Sequence, residues 1–171
     1  MFGITISATS DALPFWELVD EASRLEPTSS IRALAYPPHI TLARYQQISP
    51  DLLFAAAAAI EGQRLALTFD RIGIFDTDPI VLWLSPRADR HLLDMHDRLH
   101  KAAGSTLCDP HYRPKQWTPH LTLAMSIPSE RRALALEFAE RAVAPFSMTF
   151  ETVECVSWPP VRVLRRLPLR R

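Results

Sequence analysis

Two short segments carry the strongest chemical signal in this chain. Pro38-His39-Ile40-Thr41-Leu42-Ala43 and Pro119-His120-Leu121-Thr122-Leu123-Ala124 agree at five positions of six, and the sixth exchanges Ile for Leu. At ~1/20 odds per identity, and on the order of ten thousand segment pairs, chance produces such a match in well under about one chain in a hundred. The two histidines are 81 residues apart, close to half of the 171-residue chain. Each segment is apolar and β-branched enough for a short strand, where successive side chains alternate between faces. His39 and Thr41 then share one face, as do His120 and Thr122, while Ile40, Leu42, Leu121 and Leu123 turn to the other. Burying four such polar groups unpaired would cost about 1–3 kcal/mol each, so these faces must meet water or a ligand. Two imidazoles across a cleft can divide one reaction between them: one takes a proton from a nucleophile and the other gives a proton to a leaving group. Thr hydroxyls two residues along can donate to non-bridging oxygens, which makes phosphate the natural occupant. No Asp/Glu cluster and no His/Cys set accompanies the motifs, so chemistry without metal or cofactor is expected.

The elements around the motifs repeat as well. The first motif is preceded by a strand over Met1–Ala8 and a helix over Leu13–Leu25, and the second by Ile80–Ser85 and a helix over Ala88–Ala103 that ends at Gly104. Each motif is followed by a helix. Ser49 is the expected N-cap of Leu52–Ile60, with Pro50 at the first helical position and Gly62 as the stop, and Pro128-Ser129-Glu130 opens Arg131–Val143. Strand-like runs come next: Leu65–Phe75 and Ile80–Leu84 in the first half, Phe146–Trp158 and Val161–Leu167 in the second, with breakers at Asp76–Pro79 and Pro159-Pro160. This order predicts an α+β protein: a bilobal, duplicated fold of two antiparallel-sheet lobes with outer helices, related by a pseudo-two-fold axis and separated by a central groove. Residues 1–171 are read as a single two-lobed domain, lobe one centred on 38–43 and lobe two on 119–124.

Composition sets the outer bounds. Apolar residues at 47%, charged at 22% and aromatic at 9% are those of a globular chain, and 19 basic residues balance 19 acidic ones, which argues against a duplex-DNA coater. Two cysteines, Cys108 and Cys155, give no disulfide framework, and no signal peptide or apolar run of about 18 residues is seen, so a cytoplasmic protein that does not enter membranes is expected. The one charge asymmetry is the end of the chain, where Arg162, Arg165, Arg166, Arg170 and Arg171 fall within ten positions. Alternation reads Arg162 and Arg165 as part of an edge strand, and Arg170 and Arg171 as a frayed terminus.

Paired His-hydrophobic-Thr-hydrophobic motifs in a duplicated chain of this size, each preceded by Pro, resemble the two-histidine phosphoesterase superfamily, in particular its RNA 2′,3′-cyclic phosphodiesterase and 2′-5′ RNA ligase-like branch. The resemblance covers the whole chain in element order. It implies His39, Thr41, His120 and Thr122 as catalytic residues in the groove, acting without metal to open a 2′,3′-cyclic phosphate to a 2′-phosphomonoester or to make and break 2′-5′ linkages. It implies His120 as the group that activates water and His39 as the group that protonates the departing 3′ oxygen. Relatives carry a basic residue just past a motif; Arg44 fits the first, and Met125 stands at the equivalent place in the second. The expected partner is an RNA end or a nucleotide bearing a cyclic phosphate, met by a monomer, since the duplication already supplies a two-sided site.

Tyr36, Arg44, Tyr45, Arg113 and Trp117 lie close to the motifs in sequence and are read as substrate-binding residues that stack a base or grip a phosphate. A non-catalytic RNA or nucleotide binder using the same groove is the competing class. His96-Asp97-Arg98-Leu99-His100 imitates a zinc-hydrolase helix, but Asp is shorter than the Glu such a helix needs, and His96 shares the face of Leu92, Leu99 and Ala103. Packed histidines are the expectation there.

Overall fold

A computed structural model describes residues 1–8 and 13–170. Arg171, expected as part of a frayed terminus, lies outside the described residues. The chain forms one eight-stranded antiparallel sheet whose two halves meet at a seam. Strands β1 (Phe2–Ser7), β2 (His39–Tyr45), β3 (Leu65–Phe75), β4 (Ile80–Pro86), β5 (Leu121–Ile127), β6 (Phe146–Phe150), β7 (Thr152–Ser157) and β8 (Arg162–Pro168) stand in the order β6-β3-β4-β5-β2-β1-β7-β8. The motif strands β2 and β5 are the two central neighbours, paired through Ile40 and Leu121 alone. The order is palindromic about that seam: β2-β1-β7-β8 on one side mirrors β5-β4-β3-β6 on the other.

This arrangement corrects one expectation from the sequence. Leu65–Phe75 and the strands after the second motif are expected with the motif they follow, whereas β3 joins the β5 half through β4, which opens that half as its place before the second helix predicts, and the β7–β8 hairpin joins β1 and β2. The run 146–158 is also two strands, since β6 extends the β3 edge while β7 pairs with β1. The helices before each motif are exchanged in the same sense, and those after it stay with their motif's own half-sheet. Helix α1 (Leu13–Ala22) and the short α2 (Ser30–Ala33) pack on β5, α5 (Arg132–Ala139) packs on β3 and β4, and α3 (Pro50–Ala58) packs on β7 with α4 (Arg90–Ala103) against it. No helix among the described residues is long and apolar enough to cross a membrane.

Local signals account for most element ends. Ser49 caps α3 through Leu52 N at 3.3 Å, with Pro50 in the first turn, and Asp89 caps α4 through Leu92 N at 2.8 Å. Gly104, at φ 70°, ends α4 in a conformation that a Cβ would strain. β8 is the edge strand that its arginines suggested, with Arg165 over the Phe54 ring at 5.2 Å. Arg170 is not frayed: its N–H donates to Gly62 O at 2.8 Å and its carbonyl accepts from Arg64 N at 2.9 Å, so the backbone of 62–64 anchors the terminus.

Past the single seam pair, each motif strand has a free edge that another segment fills. On β2, Asp109 N donates to Arg44 O at 2.8 Å, and Tyr45 bridges Cys108. On β5 a buried carboxylate fills the edge, Glu26 accepting from Met125 N at 3.0 Å and Ser126 N at 2.7 Å while also holding Ser30. Beneath β2, His96 and His100 are packed, as expected: the His96 ring stacks on Trp117 at 4.0 Å, and its Nε2 is 2.9 Å from the Tyr112 carbonyl and 3.1 Å from His100 Nε2.

Both buried groups have measurable consequences for stability. Glu26→Ala removes the carboxylate acceptor of the part-buried N–H groups of Ser30 and Ser126 and leaves Met125 N with the Ser30 hydroxyl alone; it lowers stability by about 1–3 kcal/mol, read as a fall in the urea midpoint, and Glu26→Gln, which keeps an acceptor oxygen, loses less. Burial, reinforced by the charge of His100, pushes the His96 pKa down to about 4. The unfolded chain therefore takes up a proton near pH 6.5 that the folded chain refuses until about pH 4, and stability falls as pH drops through that window, by on the order of 3 kcal/mol at its lower end. His96→Phe, which preserves the stack on Trp117, flattens this dependence in urea titrations at pH 7 and pH 4.5.

Candidate active site

The histidines stand at the mouth of the seam, His39 as the first residue of β2 and His120 immediately before β5. Their immediate surroundings are the same. His39 Nδ1 is 3.0 Å from the Pro37 carbonyl and His120 Nδ1 is 2.7 Å from the Thr118 carbonyl, each two residues upstream. A carbonyl only accepts, so Nδ1 carries the hydrogen in both rings and Nε2 is left to work on a ligand. Burial lowers both pKa values below that of an ordinary histidine, and the upstream carbonyls act against it; at His39 the charge of His120 lowers the value further while Glu154 raises it.

The residues after the histidines are placed by a bulge that occurs twice. Thr5 faces Thr41 but Ile4 faces Ala43, and Trp83 faces Thr122 but Leu82 faces Ala124, so Leu42 and Leu123 are extra residues in their strands. An extra residue reverses the alternation beyond it. Arg44 and Met125 are thereby returned to the face of the histidines, five residues on, and Ala43 and Ala124 go into the core together with Leu42 and Leu123. His120, Thr122, Arg44 and Met125 line a cleft of about 360 Å³, closed by Phe75, Val81 and Tyr112. His39 and Thr41 lie beside this cleft, half-buried, on the β2 side. A larger concavity of about 650 Å³ lies between α4 and the start of β3, away from every motif residue, and its charged lining is of both signs.

The five residues read as substrate-binding separate into distinct roles. Arg44 reaches the cleft, where its guanidinium is paired with Asp109 and lies 5.3 Å from the centre of the Tyr112 ring. The other four do not line it. Tyr45 is a correction: it is wholly buried, its hydroxyl without a partner among the described residues, because the bulge that sends Arg44 outward sends the next residue inward. Tyr36 is 8% exposed; its hydroxyl is 2.8 Å from Thr5 Oγ1 and donates to Glu154, and its ring stands edge-on to His39 at 4.8 Å. Trp117 is turned into the core, stacked on His96 and donating from Nε1 to Thr41 O at 3.0 Å. Arg113 ties its own loop, donating to Cys108 O at 2.8 Å and Thr106 O at 3.1 Å.

Sequence reasoning missed the walls of the cleft. Phe75 and Tyr112 flank His120, with ring centres at 5.1 Å and 6.4 Å, and Trp83 is at 6.0 Å. Phe75 comes from a strand that follows the first motif, so no local signal ties it to the second, and Trp83, on the strand read as opening the second half, reaches His120 through the sheet register. The bulge had a signal: Leu42-Ala43 and Leu123-Ala124 are paired apolar residues that break an otherwise strict alternation. Among the described residues no group of three or more His, Cys, Asp or Glu side chains is gathered that could hold a metal ion.

Comparison with solved structures supports the fold at full length. Escherichia coli LigT complexed with 3′-AMP superposes with a TM-score of 0.67 at 19% identity, over 99% of this chain and 98% of that one. A structure described as a phosphoesterase gives 0.65 at 18% identity, over 99% and 98%, and the protein TT0787 of Thermus thermophilus gives 0.63 at 16%, over 99% and 97%. No curated protein matches the chain in sequence. The family model of the 2′-5′ RNA ligase superfamily matches residues 12–161, a span that holds both His-x-Thr motifs and the bulged strands that carry them, and the chain belongs to that superfamily, among the two-histidine phosphoesterases.

Proposed function

We propose that this protein is a metal-independent phosphodiesterase that opens 2′,3′-cyclic phosphates of RNA ends or nucleotides to 2′-phosphomonoesters, with 2′-5′ ligation as the reverse class of the same chemistry. The observation that carries the reading is the matched pair of imidazoles, each fixed through Nδ1 by a backbone carbonyl and each presenting Nε2 at the seam. One Nε2 accepts a proton from water as its oxygen attacks phosphorus, and the other, protonated, gives its proton to the departing O3′. The P–O3′ bond breaks as the new P–O bond forms, and the product retains its phosphate on O2′. A 5′-hydroxyl in place of water gives a 2′-5′ linkage by the same proton transfers. Thr41 and Thr122 are the donors for the non-bridging oxygens, and Arg44 supplies positive charge at the cleft. The nucleotide-bound structures of LigT, with 3′-AMP and with ATP, are consistent with a nucleotide-sized ligand here. Both halves of the groove come from one chain, so the proposed working unit is the monomer.

The test is incubation, in excess chelator, with a short RNA ending in a 2′,3′-cyclic phosphate. The expected product is the 2′-phosphate, and His39→Ala and His120→Ala each lower turnover by about 10²–10⁴-fold with folding retained. Tyr45→Phe, which removes only the buried core hydroxyl, leaves turnover and stability unchanged or slightly improved. Phosphate-dependent binding without product under single-turnover conditions would replace the enzyme by a nucleotide-binding protein.

A further inference from the structure

The two histidines have matching backbone partners but unlike second neighbours, and the sheet register shows how. Across from Thr41 the row of paired residues runs Thr5, Glu154, Arg166. Across from Thr122, in the mirror half, it runs Trp83, Gly73. Trp83 thus occupies the place of Thr5, and Gly73 the place of Glu154. The aromatic half cannot carry a carboxylate: a Cβ on Gly73 would lie 2.3 Å from the Trp83 indole. The polar half is built around one. Glu154 is 1% exposed; its Oε2 accepts from the Tyr36 hydroxyl, and its Oε1 accepts from Arg166 Nε at 2.6 Å.

Tyr36 connects this row to the site. Its hydroxyl is fixed between Glu154 and Thr5, and its ring packs edge-on against His39. The charged and titratable groups facing His39 are therefore Tyr36 from the preceding loop, Glu154 from β7 with Arg166 of β8 behind it, and His120 from the β5 side; Arg44, on its own strand, is paired with Asp109. Around His120 the neighbours are the rings of Phe75, Trp83 and Tyr112, and no carboxylate acts on it among the described residues.

We infer that Glu154, held by Tyr36 and Arg166, is the positioning residue that breaks the symmetry of the groove, placing behind His39 a negative charge that favours a proton there and has no counterpart behind His120. Its catalytic consequence rests on the two-histidine reading above. A negative charge near one imidazole favours its cation, and burial lowers both rings, so the charge is what sets the two apart. The glutamate touches neither substrate nor the reacting atoms. It acts through the ring it fixes and the charge it places beside His39.

The experiment is an NMR titration of the full chain with isotope-labelled histidine, resonances being assigned with the single histidine variants. Glu154→Gln keeps the size and the hydrogen-bonding oxygen but removes the charge, and the His39 midpoint is expected to fall by about one pH unit while that of His120 stays in place. The alkaline limb of turnover on the cyclic phosphate, which reports loss of the acid's proton, moves down with it, and the acidic limb does not. Arg166→Gln, on the exposed edge strand, unmasks the glutamate and moves His39 the opposite way; this sign decides the matter should Glu154→Gln fail to fold. An unmoved His39 midpoint in the folded variant, or equal movement of both histidines, would overturn the inference. Absence of turnover in the unmodified protein would count against the proposed reaction, and the titration would still decide the role of Glu154.

Discussion

The structure depends on how little the two motif strands touch. β2 and β5 share one residue pair, Ile40 with Leu121, and then diverge, so the sheet is continuous at that point and open beyond it. Divergence creates the groove and also leaves backbone groups of two central strands without a ladder, which cannot be tolerated away from water. The remedy is reciprocal. Glu26, on the approach to the first motif, satisfies the strand of the second, and Cys108 and Asp109, on the approach to the second motif, satisfy the strand of the first. Each half thus completes the other at the place where the ligand face begins. The exchanged strands and helices extend the same logic, since neither half-sheet is assembled from its own stretch of sequence.

That interlocking decides what could be read in advance. The repeat, the His/Thr face, the cap at Ser49 and the stop at Gly104 depend on contacts within a few residues, and the sequence displays them directly. Which half-sheet receives β3 is a long-range choice with no local signature, so Phe75 could not be linked to His120, and Trp83 was legible as a second-half residue but not as a neighbour of His120. Sequence proximity misled in the other direction. Tyr45, Arg113 and Trp117 lie near the motifs in the chain, but one bulge and one stacked histidine turn Tyr45 and Trp117 away from the cleft, and a loop staple occupies Arg113.

The bulge is the clearest case of a single backbone irregularity setting function. Without it, strict alternation would send Arg44 and Met125 toward the core and bring Ala43 and Ala124 to the groove. With it, each half presents a histidine, a threonine and then a third side chain to one face. The duplication preserved this device in both halves, and divergence shows in what occupies the third place: a cation paired with Asp109 in one half, a thioether in the other.

A duplicated scaffold brings a difficulty to acid-base chemistry that the same divergence can resolve. Two imidazoles in identical surroundings populate the productive arrangement of one proton and its mirror image equally, so an asymmetric substrate meets the wrong arrangement as often as the right one. Changing the histidines or their carbonyl partners would damage the geometry that the pair needs. Changing the layer behind them leaves that geometry alone. Thr5 and Glu154 in one half and Trp83 and Gly73 in the other are substitutions of this kind, made at register-equivalent positions behind matched imidazoles. The first motif acquires a buried charge through Tyr36, and the second acquires a ring that excludes one. Symmetry supplies the distance between the two groups, and the flanking strands supply the difference in surroundings on which the proposed division into acid and base rests.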